Sequence, residues 1–144
     1  MSKKMLAALL AVMMVLTMVP MTALATDAAS TPEAALREAI ANAEEGGTVT
    51  LTENVAITSG ILVTKDLTLD LNGHRITVAE GSNIWKGDVW SMISVNGEGV
   101  ELTIKSEASD GGIIAKAGDS YAIDVKGGAA LTINCTNGTK ITGN

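Results

Sequence analysis

Leu67-Thr68-Leu69-Asp70 returns as Leu102-Thr103-Ile104-Lys105 and again as Leu131-Thr132-Ile133-Asn134, at spacings of 35 and 29 residues. The surroundings return with the motif. An alternating run ending in turn residues precedes each copy: Ile61-Leu62-Val63-Thr64-Lys65-Asp66, Met92-Ile93-Ser94-Val95-Asn96-Gly97 and Tyr121-Ala122-Ile123-Asp124-Val125-Lys126-Gly127. A turn and a second short run follow each copy: Arg75-Ile76-Thr77-Val78, Gly112-Ile113-Ile114-Ala115 and Lys140-Ile141-Thr142. One such unit cannot bury its apolar face alone, so short strands repeating without helices imply a solenoid of stacked rungs. Like residues should then sit above like. Leu67, Leu102 and Leu131 fall in one interior column, and Leu69, Ile104 and Ile133 in the next. Thr68, Thr103 and Thr132 form an outer ladder with neighbours about 4.8 Å apart.

Upstream, the period of two begins at Thr48 and runs through Val49, Leu51, Val55 and Ile57. Glycines at 60, 73, 81, 97, 99, 111–112, 118, 127–128 and 138 mark the corners between strands. Before this region the period is helical. Thr31 reads as an N-cap, Pro32 as the first helical residue and Glu33 as a dipole partner. Leu36, Ala39, Ile40 and Ala43 form one apolar stripe, and Gly46-Gly47 is expected to stop the helix. So short a helix must pack on something, and the open first rung is the available surface.

Residues 1–25 read as a signal peptide. Lys3 and Lys4 precede an apolar stretch from Met5 to Val19, Pro20 breaks it, and Ala23-Leu24-Ala25 supplies the small residues of a cleavage site before Thr26. The stretch is shorter than the ~20 apolar residues of a membrane-spanning helix. Residues 26–47 are a lead-in and capping helix, and 48–144 the rungs. Without the leader, 8 basic side chains face 16 acidic ones, a net charge of −8. That balance argues against a nucleic-acid partner or an anionic-lipid surface. The single cysteine, Cys135, cannot form an internal disulfide.

The helix, then Gly46-Gly47-Thr48-Val49-Thr50-Leu51, then Lys65-Asp66-Leu67-Thr68-Leu69-Asp70-Leu71-Asn72-Gly73-His74, followed by the rung repeats, resembles the right-handed parallel β-helix of the pectate-lyase-like superfamily. The likeness is to its secreted or surface-displayed bacterial members. The resemblance implies an all-β parallel solenoid with a capping helix after a signal peptide, placed outside the cytoplasm. It says little about activity, because the fold hosts lyases, hydrolases, adhesins and inert stalks. Its enzymes act on acidic polysaccharides with carboxylates on neighbouring rungs, which bind calcium or serve as acid and base.

The repeat tests that requirement. The outward position after the threonine ladder reads Asp70, Lys105, Asn134 from rung to rung, an ion pair without a second acid. The outward positions of the preceding run, Ser94 and Asp124, make no acid cluster either. Asp110 and Asp119 sit beside glycines in turns. His74, the single histidine, follows the tight-turn pair Asn72-Gly73 and supports neither a two-histidine metal site nor a Ser/His/Asp set. Cys135 shares inward parity with Leu131 and Ile133 and reads as a small core hydrophobe. No cofactor, metal or catalytic residue is implied.

Trp85 and Trp90 are different. They lie in the connection that makes the first spacing longer than the second, and solenoid insertions often form the binding face. The pair either stacks on sugar rings or folds back as a lid over the rung edge. The sequence therefore points to an exported, non-catalytic module that contacts polysaccharide or cell-surface glycan. The alternatives are the first part of a polysaccharide lyase or glycoside hydrolase, and a structural stalk. The open rung at Gly143 should continue into further rungs or stack on a partner.

Overall fold

Each strand of this chain pairs with the strand three places along, so the backbone visits three sheets in rotation. The computed structural model describes residues 30–86, 89–118, 121–135 and 138–143. The leader, its cleavage point at Ala25 and Thr26, and Asp119 lie outside the described residues. A helix, α1 (Pro32–Asn42), precedes β1 (Gly47–Thr50), β2 (Val55–Ile57), β3 (Ile61–Val63), β4 (Leu67–Asp70), β5 (Arg75–Val78), β6 (Ser91–Asn96), β7 (Glu101–Ser106), β8 (Gly112–Ile114), β9 (Tyr121–Lys126), β10 (Ala130–Cys135) and β11 (Lys140–Thr142). The sheets run β1-β4-β7-β10, β2-β5-β8-β11 and β3-β6-β9, and every pairing within them is parallel. Among the described residues the fold is thus mainly β, with all-parallel sheets and one short helix, an arrangement compatible with a β-helix.

The register is the one the repeats demand. Leu67 pairs with Leu102 and Leu102 with Leu131, while Leu69, Ile104 and Ile133 align beside them. Thr48 joins Thr68, Thr103 and Thr132, so the ladder has one more member than the motif suggested. In the third sheet Ile61, Ile93 and Ile123 align, with Val63, Val95 and Val125 next to them. Branched side chains suit this stacking, because a residue with two heavy atoms on Cβ packs closely on its twin ~4.8 Å away. Leu67, Leu69, Leu102, Ile104, Ile76 and Ile113 are all fully buried, each contributing about 1.5–3 kcal/mol. The columns fade at β10, which among the described residues has a strand on one side only: Leu131 is half-buried and Ile133 is 53% exposed.

The helix begins as the sequence indicates. Thr31 Oγ1 accepts from the Ala34 amide at 3.2 Å, and Leu36 and Ile40 are buried against β1 and β2. Ala39 is exposed, so the apolar stripe is narrower than expected. The helix also ends early. Ala43 is already extended, at φ −59° and ψ 140°, and Gly46 takes up its positive φ only three residues later. The stop comes from a distant side chain: Lys65 Nζ donates to the Ala41 carbonyl at 2.9 Å and also to that of Ala43, meeting carbonyls the helix leaves open. A second correction concerns Gly112, expected at a corner with Gly111. It lies inside β8, where a Cβ would come within 2.6 Å of the Lys140 carbonyl oxygen, so glycine permits the close approach of β11.

Candidate functional site

The three connections from the second sheet to the third differ widely: residues 58–60, 79–90 and 115–120. The longest carries both tryptophans. It leaves β5 with the Ala79 amide still bonded to the Ile57 carbonyl at 2.9 Å, then turns with the Ser82 amide on the Ala79 carbonyl at 3.0 Å. Ile84 is driven into the core and is fully buried, which anchors the segment. Lys86 and Val89 then pair antiparallel, each amide 3.1 Å from the other's carbonyl. Gly60 lets this segment pass, since a Cβ there would lie 2.7 Å from Val89 Cγ1 and 2.8 Å from the Ser91 carbonyl oxygen.

The small hairpin brings the indoles together. Trp85 and Trp90 stack with centroids 5.9 Å apart and planes at 26°, and Trp85 tilts against Tyr121 at 5.8 Å and 41°. Both separations lie in the favourable range for aromatic pairs. The Tyr121 amide donates to the Trp90 carbonyl at 2.7 Å, fastening the hairpin to β9. Trp85, Trp90 and Tyr121 are 42%, 50% and 45% exposed, so the cluster is open to solvent and is not sealed into the core.

Beside it runs a groove of about 230 Å³ on the outer face of β3, β6 and β9, lined among others by Leu62, Val89, Trp90, Ser94, Asp124 and Lys126. Leu62, Ser94 and Asp124 stand in one outward column, as the alternation requires. The Ser91 hydroxyl donates to Asp124 Oδ1, and Lys126 Nζ stands 3.5 Å from Asp124 Oδ2. Lys126 therefore balances the charge of Asp124. Ser94 was expected to face outward, and it does so from a buried position, only 8% exposed. Its Oγ has no hydrogen-bond partner among the described residues.

The remaining sequence candidates are dispersed. Asp70 and Lys105 pair across strands at 3.9 Å, with Asn134 next to Lys105 in register. His74 closes a turn, its amide on the Leu71 carbonyl at 2.7 Å. Asp110 holds a positive φ of 70° and offers its carbonyl to Arg75 Nε at 2.9 Å. Cys135 is half-buried against the core, where burial first and then the Asp70 charge push its thiol pKa up, so it stays protonated. Among the described residues no three His, Cys, Asp or Glu side chains could together hold a metal ion. The sequence reading passed over Tyr121, Asn96 and Lys126. Aligning the outward positions of the three preceding runs would have placed Lys126 after Asn96 and beside Asp124. No family model, curated protein or solved structure matches the chain.

Proposed function

We propose that this chain is a right-handed parallel β-helix of the pectate-lyase-like kind, exported to the cell surface or medium, and that it contacts carbohydrate without catalysis. The architecture is favoured by sheets that each take every third strand in parallel register. One observation carries the functional reading: the twelve-residue connection 79–90 is anchored by buried Ile84 yet holds Trp85 and Trp90 half-exposed at the edge of a groove. Aromatic rings left open to water on a rigid scaffold are poised for a ligand with an apolar face and a polar rim, which is the character of a pyranose. The absence of catalysis is favoured by the outward column Asp70, Lys105, Asn134, which carries one carboxylate and an ion pair in place of paired acids.

Replacing Trp85 and Trp90 together by alanine tests the reading against a glycan array and a thermal melt. Loss of glycan binding at an unchanged melting temperature supports it. A lowered melting temperature in a protein that binds no glycan would assign the pair to a lid.

A further inference from the structure

Buried polar groups in folded proteins nearly always have partners, and a bare hydroxyl costs about 1–3 kcal/mol. Ser94 breaks that rule at a telling place, since its Oγ is buried, unpartnered among the described residues and on the wall of the groove beside Trp90. The Oγ itself is closed to solvent, so a ligand hydroxyl meets it when the Ser94 side chain turns about χ1 toward the groove. The surrounding chemistry narrows the ligand. Leu62, Val89 and Trp90 offer apolar surface, while Asn96, Asp124 and Lys126 offer donors and acceptors side by side. The two charges lie 3.5 Å apart and offset each other, so the pair leaves little net charge to draw in an anion or a cation. The volume, about 230 Å³, falls below the ~300–1,000 Å³ of sites that take drug-sized molecules, and suits a single ring.

We infer that this groove takes one uncharged pyranose residue, its apolar face on Trp90 and one hydroxyl bonded to Ser94 Oγ. The inference rests on the carbohydrate reading above and adds to it the charge class and size of the ligand. It also assigns Ser94 a direct contact.

The test follows the indole N–H signals of the full chain by NMR. The probes are the methyl glycosides of glucose, galactose and mannose, and, separately, glucuronate and galacturonate. At least one neutral glycoside should shift the signals saturably, with the uronates at least tenfold weaker. Ser94→Ala should weaken that neutral ligand by about fivefold to tenfold, the worth of one hydrogen bond. The same variant should melt no lower than the parent, because it removes an unsatisfied group. Leu62→Glu, at a position exposed by 57%, adds a charge to the groove without touching the core and should weaken the neutral ligand further. Uronates binding as tightly as neutral sugars, or Ser94→Ala without effect on binding, would overturn the inference and leave the carbohydrate reading standing. Silence from all five probes while an array glycan binds through the tryptophans would do the same. Silence on the array as well would overturn both.

Discussion

Two corners of the molecule are built to opposite rules. From the first sheet to the second the chain crosses in residues 51–54, 71–74, 107–111 and 136–139, nearly the same length each time. From the second sheet to the third it crosses in 58–60, 79–90 and 115–120. Both corners continue the ladder, but the middle of the first also lies against the neighbouring rung. Asn72 Nδ2 donates to the Leu51 carbonyl at 3.2 Å, and a Cβ on Gly73 would meet the Ser109 carbonyl oxygen at 3.0 Å. The Leu51 amide bonds the Asp70 carbonyl and the Leu71 amide the Lys105 carbonyl, at 2.9 and 2.8 Å. Between residues in register the first corner spans 8, 9, 11 and 10 residues, from Gly47 to Val55, Leu67 to Ile76, Leu102 to Ile113 and Leu131 to Ile141. It therefore absorbs a few residues without slipping a buried column. The second spans 6, 17 and 10, from Val55 to Ile61, Ile76 to Ile93 and Ile113 to Ile123. At the second corner length is tolerated when the added segment brings its own anchor. Uniform corners maintain stacking, and the irregular one is where a surface feature can be grown.

Ile84→Ala is the strongest challenge to this contrast. If the connection 79–90 is integrated into the core, losing a fully buried isoleucine should cost about 2–5 kcal/mol by chemical denaturation. A cost near zero would mean that the segment is an appendage, and the aromatic cluster would lose its rigid support. Next in size are paired glycine substitutions. Gly73 at the first corner has φ +80°, and a Cβ there would meet the Ser109 carbonyl oxygen at 3.0 Å and Ala108 Cβ at 3.1 Å. Gly81 in the long connection has φ +75°, with nothing within 4 Å. Both alanine variants carry the left-handed penalty of about 1–2 kcal/mol, and Gly73→Ala adds a clash with the neighbouring rung of about 1 kcal/mol or more. Equal losses in the two variants would show that the first corner is no tighter than the second.

The same contrast separates what the sequence disclosed from what it hid. Stacking gives each buried residue a twin at a fixed place, so Leu67, Leu102 and Leu131 announce their register through repetition alone. The Asp70–Lys105 pair could be read in the same way. Nothing repeats in the connection 79–90. The tryptophans stood out there by residue type, but their partner Tyr121 lies on β9 and is brought close by a hairpin that no period encodes. Ser94 was placed correctly on the outer face by alternation, and its burial could not be seen because it depends on what lies over that face. The early end of α1 was hidden for a like reason: the group that meets its last carbonyls, Lys65, is more than twenty residues downstream.

The shortest member of the variable corner, residues 58–60, supplies the smallest and most specific effect. Its hydrogen bonds come from the helix, while the next rung packs against it at Gly60. The Glu33 carboxylate accepts from the Thr58 amide at 3.1 Å and from Thr58 Oγ1 at 2.9 Å, while Arg37 donates to the Ser59 and Gly60 carbonyls at 2.6 and 3.1 Å. Burial is the largest single influence on Glu33 and raises its pKa. The hydrogen bonds from Arg37 and Thr58, with the Arg37 charge, together outweigh it, so the carboxyl titrates below its ordinary 4.5. A lowered folded pKa means that the contribution is complete above the unfolded value and is lost as pH falls through the folded one. Glu33→Gln should therefore cost about 1–2 kcal/mol at neutral pH, allowing for the part-exposed Arg37. Urea midpoints of the two proteins should converge in acid, below the usual carboxylate range. A gap that persists there would show that the corner is held by shape rather than by the charge of Glu33, and that it needs no more help from the helix than the first corner does.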